Sequence, residues 1–466
     1  MQTWWMIFFF LHFLFTIGFL CVIVLENRLP EKTIAWVVTI FGLPLIGITL
    51  YLLIGSKWRK RENRNRPKPH EISVEPHHDE HTATGRLIRL IQVNVESELH
   101  QGNLVEIFDI GESLYKHIFQ SIRQAKKHVH VLFYIIGNDH VGRALMELLM
   151  EKAQEGVEVR LIVDALGSKD LPEPWLAQLR AAGGHVGIFL PVSNPLLFWR
   201  VNYRNHRKVV VVDGEVGYIG GFNIGHEYLG EDPKLGYWRD THLEIKGPAV
   251  ESIQHIFLAD WRMVSRERLE PSAYLAPDVL NQQKQGEQDV QVIASDPRAR
   301  WELIRQTFLQ MIMTAEESVY IASPYFVPDE TLLVALRTAT QSGIKVVMIL
   351  PSISDSVLVY YASQSYIDEL IDAGVEVYHY TKGFLHAKVM IVDGRLASVG
   401  TANLDRRSFN LNFEANVFLY GRTPVLHRLI EQFEKDLSNS VRLRLQSKNL
   451  VRRYKESFAR LFAPLL

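Results

Sequence analysis

The chain has 466 residues, 47% of them hydrophobic and 22% charged, with a formal net charge of −1. That length and apolar content supply two domain-sized cores and exclude disorder as the dominant state. The near-zero charge disfavours a protein whose main task is to coat DNA or RNA. A single cysteine, Cys21, set in an apolar run, excludes an intramolecular disulfide and sulfur-based cofactor chemistry.

Trp4 to Leu25 form an apolar run with one imidazole, His12, and no formal charge, long enough to cross the hydrocarbon core as a helix. Thr33 to Ile54 form a second uncharged run, in which Gly42 and Pro44 are tolerated if neighbouring groups re-satisfy the freed backbone. With the short link Glu26 to Lys32, residues 1–55 are expected to be a transmembrane helical hairpin. Met1–Thr3 carries no Lys or Arg to open a cleaved signal peptide, and Phe19 and Leu20 precede Cys21 where a lipoprotein would carry small residues.

Lys57, Arg59, Lys60, Arg61, Arg64, Arg66 and Lys68 follow the second run, and the positive-inside rule places them, with the rest of the chain, in the cytoplasm. Their position flush with the helix end favours attraction to a bilayer with anionic headgroups. Residues 56–86, polar and with Pro67, Pro69 and Pro76, are expected to be a tether. His70, His77, His78 and His81 lie there with no strand or helix to fix them, so no metal site is expected.

From about Leu87 short β-branched runs alternate with amphipathic helical stretches, the pattern of an α/β protein. The order repeats. Val129–Tyr134, Arg143–Glu155 and Val157–Val163 read as strand, helix and strand, and Val319–Ser323, Thr331–Ser342 and Ile344–Leu350 read the same way. Further strands are expected near Val186–Leu190 and Val375–Tyr380. The boundaries are set at 87–270 for the first module and 271–466 for the second, about a pseudo-two-fold axis with one shared site.

Each half then reaches one motif. Asn205-His-Arg-Lys-Val-Val-Val-Val-Asp213-Gly214 is answered by Leu385-His-Ala-Lys-Val-Met-Ile-Val-Asp393-Gly394, and His206, Lys208, Asp213 and Asn223 each recur 180 positions later as His386, Lys388, Asp393 and Asn403. Side chains two apart on a strand share a face, so each His-x-Lys offers a nucleophile and a cation side by side. Asp-Gly is a two-residue hairpin signal, and the small residues of Gly220-Gly-Phe-Asn223 and Gly400-Thr-Ala-Asn403 allow close approach of backbone to a ligand. Asp213 has the opposite parity to His206 and sits where the turn begins, so Asp213 and Asp393 are expected to bond backbone amides rather than their own histidines.

His-x-Lys-x4-Asp followed by x6-Gly-x-x-Asn, present twice, resembles the paired signature of the phospholipase D superfamily over roughly residues 87 to 466. The resemblance implies two phospholipase D-like α/β/α sandwich modules and a phosphodiester-cleaving site that uses neither metal nor other cofactor. It also implies a carboxylate that orients each histidine. The matching positions are Asp240 in Tyr237-Trp-Arg-Asp240 and Glu414 in Asn412-Phe-Glu414. More narrowly, Glu26–Trp36, Pro44–Gly47, Gly221–Gly230 and Ser323–Pro328 resemble bacterial cardiolipin synthases. That family implies a multi-pass protein of the bacterial inner membrane that transfers a phosphatidyl group from one phosphatidylglycerol to another, releasing glycerol.

The resemblance assigns His206 as nucleophile and His386 as general acid, counts Asp213 and Asp393 of the two motifs in the catalytic set, and puts Lys208, Lys388, Asn223 and Asn403 around the phosphate oxygens. The same chemistry with water or serine as acceptor would give a phospholipase D or a phosphatidylserine synthase. A membrane-tethered nuclease and a non-catalytic scaffold are the more distant alternatives. Two features stand outside the motifs. Leu196, Leu197, Phe198 and Trp199, in an insertion before the first motif, suit either a core or an acyl-chain entrance. Leu450, Val451, Tyr454, Phe458, Leu461 and Leu465 recur at helical spacing among basic residues, which suits a docked helix or one lying at headgroup level.

Overall fold

The structure, a computed structural model, describes residues 2–26, 30–51, 82–95, 97–191, 202–299, 302–445 and 448–463. Two compact units result, one of residues 1–61 with 192–202 and one of residues 62–191 with 203–466. The basic cluster from Lys57 to Lys68, the four tether histidines and the apolar insertion at 196–199 lie outside the described residues.

In the first unit the apolar run folds as the helix Gln2–Leu25, followed by the helices Pro30–Gly42 and Pro44–Leu50. The second run is therefore broken, where one continuous span was expected. Pro44 disfavours helical backbone in the residue before it, and Leu43 accordingly sits at φ −137°, ψ 72°. Gly47 permits the resulting close approach, since a Cβ there would fall 2.7 Å from the Ile40 Cα. Ile23, Ile40, Ile48 and Tyr51 form a small core, with the Tyr51 ring edge-on to Phe19 and Trp36. Among the described residues no helix is long and apolar enough to cross a membrane.

In the second unit the repeat read from the sequence becomes a repeat of sheet order. The first half runs His100–Phe108, His242–Lys246, Val216–Gly220, Val209–Val212, His128–Phe133, Glu158–Asp164, His185–Phe189 from one side to the other. The second half runs Gln288–Ser295, Asn412–Tyr420, Leu396–Gly400, Val389–Val392, Ser318–Ala322, Lys345–Pro351, Glu376–Tyr380 in the matching order, with Ser440–Arg442 added at its edge. The halves join where His100–Phe108 and Gln288–Ser295 pair antiparallel, His100 opposite Val290. One mixed sheet thus spans both repeats.

Every residue of Val209–Val212 and Val389–Val392 is buried, because helices cover both faces of the sheet. Period two decides which face each side chain serves. Val209, Val211, Val389 and Ile391 enter a central core with the helices Val250–Ser265 and Pro424–Ser438, while Val210 and Val212 enter the outer core of the first half and Met390 and Val392 that of the second. The helix Ala83–Val95 packs Leu87, Ile88 and Ile91 into the outer core of the second half, although its place in the chain assigned it to the first module.

Candidate active site

Each motif histidine is placed by a short strand that crosses to the other repeat. Arg204–Asn205 pairs parallel with the start of Asn412–Tyr420, and the His206 N–H donates to the Phe413 carbonyl at 2.9 Å. Gly383–Leu385 pairs parallel with Tyr237–Arg239, and the His386 N–H donates to the Arg239 carbonyl at 2.7 Å. The residue after each accepting carbonyl is Glu414 or Asp240. Backbone pairing therefore sets each imidazole against the acid of the opposite repeat.

The side chains complete that crossing. His206 Nδ1 lies 3.0 Å from Glu414 Oε2, and His386 Nδ1 lies 2.6 Å from Asp240 Oδ2. A carboxylate only accepts, so Nδ1 carries the hydrogen in both rings and Nε2 is the atom left for chemistry. Thr401 Oγ1 donates to Glu414 Oε2 at 2.5 Å and Asn412 Nδ2 to Oε1 at 3.0 Å. In the first repeat the position matching Thr401 is Gly221, where a Cβ would fall 1.9 Å from Asp240 Oδ1. The shorter acid takes up the space that a side chain would occupy. Gly221 thus makes room for a protein carboxylate, where approach to a ligand was expected.

Lys208 Nζ donates to the His206 carbonyl at 2.7 Å and lies over the Tyr134 ring, 5.3 Å from its centroid. Lys388 Nζ donates to the His386 carbonyl and stands 2.8 Å from His386 Nδ1. Burial brings Lys208 down to about 7, against the pull of Glu414, and Lys388 down to about 8, against the pull of Asp240. Burial also lowers His206, helped by Lys208 and opposed by Glu414, and burial with Lys388 brings His386 down to about 4. Burial opposes ionisation of the two acids, yet Lys388 and His386 keep Asp240 below the usual carboxylate range and His206 and Lys208 do the same for Glu414. Lys388 also acts on His206 and Lys208 on His386, so the charges of both repeats share one site.

Asp213 and Asp393 stand at the turns, as their parity required. The Asp213 carboxylate accepts from the backbone N–H groups of Lys126, Lys127 and His128 at 2.8 to 2.9 Å, and Asp393 accepts from those of Glu316, Glu317 and Ser318. Both residues have left-handed backbone, φ 54° and 52°, and glycine follows at φ 66° and 61°, so each Asp-Gly pair makes a tight turn. The registers Val212–Val216 and Val392–Leu396, however, leave three residues in each connection where the signal gave two. Neither acid is bonded to its own histidine. Their carboxylates fix strand ends.

The two asparagines differ in their partners, and Asn403 Oδ1 is buried without one among the described residues. Asn223 Oδ1 accepts from the Ile135 N–H at 3.1 Å and its Nδ2 donates to the Tyr228 hydroxyl at 2.9 Å, while the Asn403 side chain bonds Asp405. Free donors to phosphate oxygens were expected at both positions. Asn223 has both side-chain atoms bonded and ties the loop beside the first motif, whereas Asn403 does not have both satisfied.

Sequence reasoning missed the rings and the ion pairs around the histidines. Tyr134 packs edge-on to His206 with centroids 5.0 Å apart, and Tyr325 and Trp238 stand 6.3 and 5.0 Å from His386. Arg207 Nη1 bonds Asp260 Oδ1 at 2.6 Å, and Arg239 bonds both oxygens of Asp436 at 2.9 to 3.0 Å. Both arginines adjoin a site residue in the chain, which was the available signal. Among the described residues one group, Glu106, His117 and Glu244, has metal-ligand atoms within 4.8 Å of one another, but Lys246 already pairs with Glu244 at 2.7 Å and these residues are apart from the histidine pairs.

This chain matches the family model "Cardiolipin synthase, PLD-like domain" over residues 118–261 and 308–437, and "Phospholipase_D-nuclease N-terminal" over residues 14–56. It is 42% identical to a cardiolipin synthase of Geobacillus kaustophilus over 465 residues, covering 96% of this chain and 91% of that one. It is 39% identical to the major cardiolipin synthase of Bacillus subtilis over 479 residues, covering 99% and 98%. The crystal structure of a phosphatidylserine synthase from Haemophilus influenzae aligns with a TM-score of 0.63 at 16% identity, over 82% of this chain and all of that one, a likeness of fold.

Proposed function

Since the chain belongs to the phospholipase D-like cardiolipin synthase family, we propose that it transfers a phosphatidyl group between two phosphatidylglycerol molecules, giving cardiolipin and glycerol. The observation that carries the reading is the pair of crossed His–carboxylate contacts around Lys208 and Lys388.

A phosphodiester is anionic, and attack on phosphorus needs cations where charge spreads over the oxygens. Lys208 and Lys388 supply them. His206 Nε2 attacks phosphorus and forms an N–P bond as the P–O bond to the glycerol headgroup breaks, and His386 passes a proton from Nε2 to the departing oxygen. His386 then takes the proton from a headgroup hydroxyl of the second lipid as that oxygen attacks, and the N–P bond breaks. Glu414 and Asp240 hold the tautomers and stabilise each imidazolium as it forms. In the empty site His386 is neutral, because burial and Lys388 oppose its charge. A bound phosphate diester adds the negative charge that lets His386 carry its proton.

The test supplies purified full-length protein with phosphatidylglycerol alone and identifies the products. Cardiolipin with one glycerol per turnover is expected. Phosphatidic acid as the sole product would make the chain a hydrolase, and phosphatidylserine formed only with added serine would make it a serine transferase.

The membrane setting belongs to the same reading. The stretch from Trp4 to Leu25 is apolar and carries no formal charge, and residues 14–56 match the N-terminal family model. Phe13, Phe15 and Leu25 on it are exposed. These features support an N-terminal hairpin in the bacterial inner membrane, and the basic residues from Lys57 to Lys68 support a cytoplasmic catalytic unit. Protease added outside sealed right-side-out vesicles should spare that unit, and its digestion there would reverse the orientation.

A further inference from the structure

The last described helix, Leu450–Arg460, is built inside out. Its buried face consists of Glu456 and Ala459, continued by Ala463, whereas its large apolar side chains face solvent. Leu450 is 81% exposed, Tyr454 72% and Leu461 74%, with Val451 and Phe458 beside them. At 100° per residue these five fall on the side of the helix opposite Glu456 and Ala459. A docked helix would turn such residues inward, so the two readings left open by the sequence are no longer equal.

The charges follow the same pattern. Arg453 borders the apolar stripe on one side, beside Arg460, which is paired with Glu369, and Lys455 borders it on the other, an arrangement in which long cationic side chains reach headgroups while the stripe enters the acyl boundary. Residues 442–460 carry seven basic side chains and one acid, Glu456. That acid is buried and bonded to Lys448 and Arg452, while Lys448, Arg442 and Arg460 also pair with Asp368, Glu376 and Glu369. Among the described residues Arg444, Arg453 and Lys455 are therefore the exposed cations of the segment that have no ion pair, in a chain whose net charge is −1.

This surface is continuous with the rim of the active site. Lys455 lies over the Tyr361 ring, 5.6 Å from its centroid, and Arg460 over that of Tyr366, both on the helix Val357–Asp372. That helix begins at Val357, which is 74% exposed, two residues after Asp355. Asp355 accepts from the hydroxyl of Tyr325, whose ring stands beside His386.

We propose that the helix Leu450–Arg460, with the tip at Val357, is an interfacial docking surface for a bilayer of anionic phospholipid that sets the mouth of the site at headgroup depth. The proposal rests on the reading that the substrate is a membrane phospholipid. A bilayer is the occupant the charge favours, since the stripe is apolar, its border is cationic and the substrate is itself an anionic lipid.

The test places an environment-sensitive fluorophore on Tyr454→Cys in a Cys21→Ser background, using the full-length protein reconstituted in vesicles. Blue-shifted emission, quenched by brominated acyl chains and strengthened when phosphatidylglycerol replaces phosphatidylcholine, is expected. The same label on Glu147→Cys, an exposed site on the helix His140–Gln154, should show neither effect. Emission from position 454 that brominated lipid leaves unquenched would overturn the proposal, as would shielding that grows with protein density, which would assign the stripe to a second copy of the chain. Equal quenching in neutral and anionic vesicles would remove the role given to the basic border.

A kinetic arm separates this surface from the chemistry. Leu450→Ser, Tyr454→Ser and Leu461→Ser combined should raise the apparent KM for bilayer phosphatidylglycerol about tenfold through lost apolar burial, with turnover of a water-soluble short-chain analogue retained. Equal loss on both substrates would count against docking. Failure of the unsubstituted protein on either substrate would instead reject the functional reading.

Discussion

Asp240, in the first repeat, accepts the Nδ1 hydrogen of His386, in the second, at 2.6 Å, and Glu414 returns the arrangement to His206 at 3.0 Å. Each half-site is therefore assembled from both repeats, which neither repeat could do alone. Asp240→Asn presents an amide to Nδ1 and removes the charge that stabilises an imidazolium, so kcat is expected to fall on the order of a thousandfold. The fall should resemble that of His386→Asn, and combining the two should cost little more than the larger single effect. Additive losses would mean that Asp240 acts independently of His386. Glu414→Gln should couple to His206 in the same way.

Asp213→Ala separates stability from chemistry. The substitution removes acceptors for three backbone N–H groups and leaves an alanine at φ 54°, a conformation favoured by Asp, Asn and Gly. A loss of about 3 kcal/mol is expected, read as a lower melting temperature, with kcat of the folded fraction near that of the unaltered chain. A large drop in kcat without a change in melting would restore the catalytic role implied by the motif.

Much of this site was legible in the sequence because its determinants are local. The spacing of the His-x-Lys pairs, the Asp213-Gly214 turn and the opposite parity of Asp213 follow from strand geometry within ten residues. The two supporting acids came only through family resemblance, and which acid serves which histidine was not legible at all. That depends on the parallel pairing of Arg204–Asn205 with Asn412–Phe413 and of Gly383–Leu385 with Tyr237–Arg239, contacts between residues about 150 to 200 apart that no periodicity encodes. The same holds for Ala83–Val95, whose apolar stripe was visible but whose partner in the second half was not. At Leu43 a local signal, the following proline, was present and was outweighed by the unbroken hydropathy of the run.

The pH dependence follows from the lysines. Burial penalises their charged form, so Lys208 and Lys388 lose protons near 7 and 8 in the empty site, well below the usual 10.5. Since kcat/KM reports the free enzyme, it should fall as pH rises through 7 to 8, when the cations that receive the phosphate are lost. Bound phosphodiester favours the charged lysines, so the alkaline limb of kcat should lie at higher pH. On the acid side His206 must be neutral to attack, and its lowered pKa puts that limb below 6.5. Lys208→Arg, which stays charged, should shift the alkaline limb of kcat/KM upward, and an unmoved limb would mean that Lys208 does not set it.

The division of labour between the histidines is tested by trapping the intermediate. Family resemblance gives attack to His206 and proton transfer to His386, whereas the two share a tautomer and differ in their neighbours: His386 has the Lys388 ammonium 2.8 Å from Nδ1 and His206 does not. With His386→Asn, His206 retains its acid partner Glu414 and its free Nε2. A donor whose leaving group needs no proton should therefore load the protein, while the acceptor hydroxyl, lacking a base, should not discharge it. Mass spectrometry should then show one phosphatidyl group per chain on the peptide containing position 206. With His206→Asn the attacking atom is gone, and no donor, however activated, should leave an adduct. An adduct at position 386 in the His206→Asn protein would reverse the assignment. Full turnover after either substitution would reject covalent catalysis by the pair.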